Sequence, residues 1–183
     1  MMDKKLYTVT AYSENQVGLL NQIATIFTRR RLNIESLSVS ASAIEGVHKF
    51  TITTYSDEET VSKLVKQIEK KVDVLRSFYY LDDEIIYQEV ALYKVPTKKL
   101  MEDNRIEEIV RSHSARILEV NPDFTVIEKS GHSDETQRLF EELSKIEVRQ
   151  FVRSGRVAIT KSPVEHVSIF LQQQEDRRLS IDD

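Results

Sequence analysis

The strongest constraint on the fold is a periodicity that changes repeatedly between that of a strand and that of a helix. Tyr7, Val9 and Ala11 alternate with threonines, as in a strand with one buried face. From Leu19 to Phe27 the apolar residues recur every three or four positions, which predicts an amphipathic helix. The chain is therefore expected to build layers of helix and sheet.

The same region continues the pattern with further elements. Residues 34–41 alternate as a strand, and Glu45-Gly46 is typical of a hairpin turn that leads into another strand. A capping box at residues 56–59, a serine followed three residues later by a glutamate, predicts a second helix reaching Val72. A strand rich in aromatic residues follows. The order strand, helix, strand, strand, helix, strand is that of a ferredoxin-like α+β fold.

A second unit of similar order is predicted after the polar junction Asp82-Asp83-Glu84. Its expected strands are 85–95, 115–120, 124–129, 146–152 and 156–160, with helices near 100–110 and after Ser133. The prediction is thus two ferredoxin-like βαββαβ domains, the second an α/β sandwich with one extra strand, at residues 1–82 and 83–161. A tail, 162–183, is expected to carry a short amphipathic helix from Ser162 to about Asp176.

Glycine is scarce and cysteine is absent, and this composition excludes several kinds of site. The four glycines of the chain all lie far apart, so neither a Walker phosphate loop nor a dinucleotide fingerprint can be built. There is no cysteine, which excludes disulfides, thiolate metal ligands and cysteine nucleophiles.

Charge and hydropathy limit the partners. The net charge is −4, with both signs spread along the chain, whereas a nucleic-acid-binding protein usually carries a basic face. No apolar run approaches the length of a membrane span, and Met1-Met2-Asp3-Lys4-Lys5 lacks the apolar segment of a signal peptide. We therefore expect a cytoplasmic protein that binds neither nucleic acid nor membrane.

No constellation of catalytic residues is evident. The four histidines, His48, His113, His132 and His166, do not pair at ligand spacing, so no metal site is expected. His48 is interpreted as a surface residue. No nucleophile, base and oxyanion donor can be assigned together, which argues against an enzyme acting alone.

One segment does suggest a binding site. Residues 14–20 join a strand to a helix start, where free backbone N–H groups and the helix dipole favour a carboxylate. Gly18 lets a ligand approach the backbone closely, and Asn15 offers an amide. Leu20, Ile34 and Val39 can supply apolar surface nearby. These features suit a small amino acid as the ligand. The local sequence also allows the alternative that Asn15 is only a loop residue and Gly18 only a turn residue.

Several segments resemble a known family. The segments Glu14-Asn15-Gln16-Val17-Gly18-Leu19-Leu20 and Asn33-Ile34-Glu35-Ser36-Leu37 resemble an ACT domain. With Val72-Asp73-Val74-Leu75-Arg76, Glu89-Val90-Ala91-Leu92-Tyr93-Lys94-Val95 and Val152-Arg153-Ser154-Gly155, the chain resembles the small, regulatory subunit of acetolactate synthase over about residues 6–160.

The resemblance implies a function without an active site in this chain. Such a subunit activates a catalytic subunit, which carries thiamine diphosphate, Mg and flavin (FAD), and it confers feedback inhibition by a branched-chain amino acid, usually valine. The resemblance also implies a homodimer of paired ACT domains with the effector at their interface. The site residues carried over are Asn15, Gly18, Leu19 and Leu20 of one chain with Asn33 and Ile34 of the facing chain.

Three departures from the family pattern stand out. Arg31 occupies a position where glycine is common at the end of the helix, so the helix end is expected to differ. Val17 and Leu19 are larger than the residues common there, which would tighten the pocket. The tail beyond Lys161 is longer than usual.

Two other functional hypotheses remain at this stage. One is a stand-alone ACT protein that binds an amino acid and regulates a different enzyme. The other is an enzyme whose site has no familiar motif. Binding to an acetolactate synthase catalytic subunit would favour the regulatory subunit over the stand-alone ACT protein. Turnover by the chain alone would identify an enzyme.

Overall fold

The computed structural model describes residues 4–102, 105–164, 167 and 169–172. Two compact units are formed, residues 87–157 and the rest of the described chain. The first unit contains β1 (Lys5–Glu14), α1 (Leu19–Arg29), β2 (Ser36–Ala41), β3 (Val47–Ser56), α2 (Glu58–Ile68) and β4 (Val74–Tyr80). This is the predicted order of strands and helices.

The strands of the first unit form one antiparallel sheet in the order β2-β3-β1-β4. Val9 and Ala11 of β1 and Ile52 of β3 point to the same face, because alternate residues of a strand share a face. Two apolar residues of α1 and three of α2 pack on that face, and all are almost completely buried: Ile23, Phe27, Val61, Leu64 and Ile68. This core fixes the orientation of α1, and hence of the predicted binding segment at its start.

The second unit repeats this topology. Its elements are β5 (Ile85–Pro96), α3 (Thr97–Glu102), α4 (Arg105–Ser112), β6 (Arg116–Val120), β7 (Phe124–Gly131), α5 (Ser133–Ser144) and β8 (Gln150–Arg153). The last strand, β9 (Val157–Thr160), belongs to the first unit from Ala158 onward. The strand order is β6-β7-β5-β8, and β9 also pairs with β5 as the expected extra strand. The prediction of two ferredoxin-like units is confirmed.

Tyr93 stands at the centre of the second core. It is fully buried, and its hydroxyl donates a hydrogen bond of 2.6 Å to the carbonyl oxygen of Thr136 in α5. Burial raises the pKa of this hydroxyl to about 12, so it remains a donor throughout the physiological range. The hydrogen bond ties the central strand to α5.

The chain from Ala158 onward belongs to the first unit, whereas the sequence predicts a second domain over residues 83–161 and a separate tail after it. The Lys49 ammonium donates to the carbonyl oxygen of Ala158, and the guanidinium carbon of Arg76 lies 4.3 Å from the ring centre of Phe170. Val167 is buried, and residues 167 and 169–172 are helical. The expected continuation of this helix to Asp176 lies outside the described residues.

Three local expectations are wrong. Ser56 does not cap α2, because it pairs with Lys5 in the β1–β3 ladder; Asp57 is the cap, and its carboxylate accepts a hydrogen bond of 2.8 Å from the N–H of Thr60. Val72 lies beyond the end of α2 and is exposed. The strand expected from residue 146 begins at Gln150.

Helices α1 and α4 end in the same way, each with a non-glycine residue in the left-handed conformation. Arg31 has φ 55° and Ser114 has φ 50°. In each case the next residue bonds back to the helix, Leu32 to Phe27 and Ala115 to Val110, with N···O distances of 3.0 and 2.9 Å. This is the Schellman motif, for which glycine is the usual residue. Contrary to the expectation, α1 ends as a glycine-capped helix would.

Arg31→Gly is expected to raise the free energy of unfolding by about 1 kcal/mol, because glycine adopts positive φ without steric penalty. Ser114→Gly should have a similar effect in the second unit. Urea denaturation followed by circular dichroism measures both. Arg30→Gly is the contrasting variant: Arg30 has φ −92° and its guanidinium donates hydrogen bonds to the Gln67 side chain and the Lys63 carbonyl oxygen, so the same replacement there should lower stability. A loss of stability in Arg31→Gly would contradict the assignment of strain to this residue.

Candidate functional site

Gly18 occupies the N-cap position of α1 in a conformation that favours glycine. Its φ is 87° and its ψ is −8°, in the left-handed region. A Cβ built on Gly18 would meet no atom within 4 Å, so the backbone faces open space. The backbone at this position is therefore sterically accessible.

The first turn of α1 leaves backbone donors available. No side chain caps the helix, and its first turn holds no acidic residue. The first regular bond of the helix runs from the N–H of Gln22 to the oxygen of Gly18, and the N–H of Leu19 makes a long bond of 3.4 Å to Gln16. Within the described chain the N–H groups of Leu20 and Asn21 have no acceptor. Such a start is suited to bind a carboxylate.

Asn21 was not among the site residues identified from the sequence. Its side chain suggests nothing, but its place as the third residue of a helix supplies a free donor. Asn21 could have been identified only from the exact first residue of α1. No capping side chain at this helix start reveals that residue in the sequence.

The two leucines after Gly18 have opposite environments. The side chain of Leu19 is 1% exposed and lies in the core, so it can offer a ligand only its backbone. The side chain of Leu20 is 46% exposed, and Val17 is fully exposed. Asn15 is exposed in the same loop. Leu20 and Val17 are therefore the exposed apolar side chains of this segment.

Asn33 and Ile34 lie at the opposite end of α1 from Gly18. The helix has 11 residues and is thus about 16 Å long, so the two groups do not meet within one chain. The Asn33 side-chain amide donates a hydrogen bond of 2.9 Å to Glu35, and its backbone oxygen accepts one of 2.7 Å from the Thr54 hydroxyl. Ile34 is half-buried against the first core.

Within the part of the chain that the structure describes, no group of three or more acidic or histidine side chains could hold a metal ion. His48 is half-buried rather than on the surface, and His132 stacks on Tyr87 with ring centres 4.3 Å apart. His166 lies outside the described residues. None of the described helices is both long and apolar enough to cross a membrane.

Two family models match consecutive parts of the chain. The model described as "AHAS small subunit-like ACT domain" matches residues 10–76, which hold most of the first unit and the Gly18 segment. The model described as "Small subunit of acetolactate synthase" matches residues 88–162. The segment after residue 162 lies beyond both.

Individual relatives agree with these models. The acetolactate synthase small subunit of Bacillus subtilis is 30% identical over 166 residues, which cover 90% of this chain and 95% of that protein. A probable small subunit from Methanothermobacter thermautotrophicus is 26% identical over 160 residues, covering 87% and 95%. The crystal structure of the small subunit from Thermotoga maritima superposes with a TM-score of 0.78 at 25% identity and covers 87% of this chain and 99% of that one. The chain therefore belongs to the acetolactate synthase small-subunit family, with an ACT domain at its N-terminal end.

Proposed function

We propose that this chain is the non-catalytic regulatory subunit of a cytoplasmic acetolactate synthase in branched-chain amino acid biosynthesis. It activates a separate catalytic subunit, which carries thiamine diphosphate, Mg and FAD, and it makes that subunit sensitive to a branched-chain amino acid, valine first. The observation that carries this proposal is the family match over both units together with the free helix start at Gly18.

The proposed effector site joins two chains. The carboxylate of valine accepts hydrogen bonds from the N–H groups of Leu20 and Asn21 beside Gly18. Asn15 of the same chain and Asn33 of the facing chain supply polar groups, and Leu20 with the facing Ile34 encloses the aliphatic side chain. A second chain is needed because Asn33 and Gly18 lie at opposite ends of α1.

Strand β2 supports the side-by-side pairing of ACT domains. It is an edge strand in the order β2-β3-β1-β4, so its outer backbone groups are available to another strand. Val39 on this strand is 42% exposed. In this proposal residues 1–82 bind effector and dimerise, residues 83–161 form the second domain, and the remainder is a tail.

The expected affinity suits a metabolite sensor. Charge-assisted hydrogen bonds contribute about 1.5–3 kcal/mol each, and burial of a valine-sized side chain adds a similar amount. After the cost of association, a dissociation constant between millimolar and micromolar follows. Inhibition further requires that valine bind one quaternary state better than another.

Mixing the purified chain with its cognate catalytic subunit is expected to raise the rate of acetolactate formation severalfold, and valine is expected to reverse that rise. The chain alone should give no turnover. Failure of the two proteins to bind, with no activation, contradicts the proposal, and capture of another metabolic enzyme in place of the catalytic subunit would indicate a stand-alone ACT regulator. Calorimetry with valine, leucine and isoleucine in turn identifies the effector.

A further inference from the structure

A cleft opens in the first unit at the end of the sheet opposite to Gly18. It consists of two adjoining hollows of about 610 and 480 Å³, which share Lys5, Tyr7, Glu58 and Tyr79 in their walls. Because β1 runs from Lys5 to Glu14, the cleft is about 30 Å from the proposed effector segment. Its residues come from β1, β4, the start of α2 and the turn after β4.

The walls of the cleft are strongly acidic. The cap and first turn of α2 contribute Asp57, Glu58 and Glu59, and the turn after β4 contributes Asp83 and Glu84. Among the described residues, Lys5 is the only cation that lines either hollow. The carboxylates of Glu58 and Asp83 have no hydrogen-bond or salt-bridge partner within the described ranges. Because Glu59 pairs with Lys63 and the Lys161 ammonium lies 2.8 Å from the carbonyl oxygen of Asp83, the unpaired negative charge of the cleft centres on Glu58.

Tyr7 gives the cleft a polar group that lacks a protein partner. The residue is only 4% exposed, its side chain lines both hollows, and its hydroxyl has no hydrogen-bond partner among the residues that the structure describes. The hydroxyl oxygen itself remains accessible from the cleft, so a bound group can reach it. The ring of Tyr79 meets the ring of Tyr7 edge-on, with centres 5.9 Å apart and planes at 73°.

The hydroxyl of Tyr7 also experiences the acidic surroundings. Its pKa is raised, first by burial and then by the charges of Glu58 and of other nearby acidic groups. It thus stays protonated at neutral pH while its oxygen keeps lone pairs that can accept a hydrogen bond. A cation that donates hydrogen bonds would satisfy both the hydroxyl oxygen and the carboxylates.

The N-terminal ends of α1 and α2 differ in the charge of the ligand that each could bind. At α2 the Asp57 carboxylate already accepts from the N–H and the hydroxyl of Thr60, at 2.8 and 2.9 Å. These hydrogen bonds lower the pKa of Asp57, so the cap is ionised at neutral pH. An anion at this helix start would be repelled by the Asp57 carboxylate and by those of the first turn. The start of α1 has no capping side chain and no acidic residue in its first turn. The cleft at α2 therefore disfavours anions.

We propose that this cleft is a binding site for a small organic cation, in particular one with a guanidinium group. A guanidinium is planar, donates several hydrogen bonds in a fixed plane, and can form paired bonds to a carboxylate such as that of Glu58. The same plane can stack on the half-buried ring of Tyr79, with a further cation–π attraction. This site is independent of the proposed function.

Agmatine is the appropriate probe, because it carries a guanidinium and an ammonium but no carboxylate, and therefore has no group for the start of α1. Calorimetric titration of the full chain with agmatine is expected to show binding that weakens as salt is added. Valine, titrated separately, reports on the effector segment, so failure at one site is distinguishable from failure at the other.

Three substitutions test the assignment, with effects of opposite sign. Glu58→Gln and Tyr7→Phe should each weaken agmatine binding, the first by about tenfold, as expected for a lost charge-assisted hydrogen bond. Lys5→Gln should strengthen it, because it removes the cation that competes for the same carboxylates. Glu108→Gln, in the first turn of α4, is the matched control and should have no effect. All variants should bind valine as the parent chain does.

The source of the guanidinium is resolved with a second probe, an arginine residue between glycines in a peptide with blocked ends. Tighter binding of this peptide than of agmatine would identify a protein side chain as the natural ligand, and the reverse would identify a metabolite. Absence of binding by both probes, or binding unchanged by Glu58→Gln and Tyr7→Phe together, would overturn the proposal.

Discussion

Gly18→Asp is expected to abolish inhibition by valine while activation of the catalytic subunit is retained. The new carboxylate would stand where the carboxylate of the effector is proposed to bind, beside the N–H groups of Leu20 and Asn21. It could also accept from the N–H of Asn21, as Asp57 accepts from Thr60 at the start of α2. Loss of two charge-assisted hydrogen bonds corresponds to a weakening of valine binding by about 100-fold or more.

Gly46→Asp is the matched control for this substitution. Gly46 has φ 76°, and a Cβ added to it, like one added to Gly18, would meet no atom within 4 Å. It lies in the turn between β2 and β3, next to Val47, which pairs with Glu14, so the control places the same charge near this loop but not at the start of α1. Both replacements place the same charge in the same backbone region, at a cost in stability of about 1 kcal/mol each. Only Gly18→Asp should lose the response to valine.

Two measurements check the result: valine titration by calorimetry, and acetolactate formation by the reconstituted enzyme with and without valine. Valine-sensitive activity in Gly18→Asp would remove Gly18 from the effector site. Equal loss of inhibition in Gly46→Asp would mean that charge or strain, rather than position, is responsible. Lost activation in Gly18→Asp would indicate that this helix start also serves contact with the catalytic subunit.

Leu19→Ala is expected to destabilise the chain by about 2–5 kcal/mol, the range for truncation of a buried leucine. Its side chain is 1% exposed and packs among the core residues of the first unit, so the substitution leaves a cavity. Leu20→Ala, one residue further, should change stability by no more than about 0.5 kcal/mol, since Leu20 is 46% exposed.

Urea unfolding at fixed protein concentration measures the difference between the two leucine variants. Leu20→Ala should weaken valine binding, because the proposed pocket loses apolar surface. Leu19→Ala should leave valine binding unchanged where the chain is folded, because the backbone donors are kept. Equal stability of the two variants would contradict the assignment of Leu19 to the core. Unchanged valine binding in Leu20→Ala would remove that side chain from the site.

Much of the fold could be predicted from periodicity, because the spacing of apolar residues within each helix or strand shows which face is buried. The alternation at Tyr7, Val9 and Ala11 and the helical spacing from Leu19 to Phe27 correspond to β1 and α1. Boundaries were less accurate where a residue satisfied two local patterns. Ser56 fits a helix cap, but its backbone is paired with Lys5 on a neighbouring strand, so Asp57 takes that role.

The candidate site was only partly predictable for the same reason. The sequence located the start of α1 and the conformational need for Gly18, since both depend on neighbouring residues. It could not separate Leu19 from Leu20, because the rotation of α1 about its axis is set by packing against the sheet. It also could not show that Arg31 takes the conformation of a glycine, which follows from the closure of the helix end by Leu32 against the first core.

The sequence by itself determined the order of elements in both units, the family and the helix start that suits a carboxylate, because each is encoded in short runs of residues. Tertiary structure alone decided which leucine is buried, where the chain after β9 packs, and that an acidic cleft exists. Tyr7, Glu58 and Tyr79 are far apart in sequence, and they meet only because β1 pairs with β4 and α2 covers the sheet.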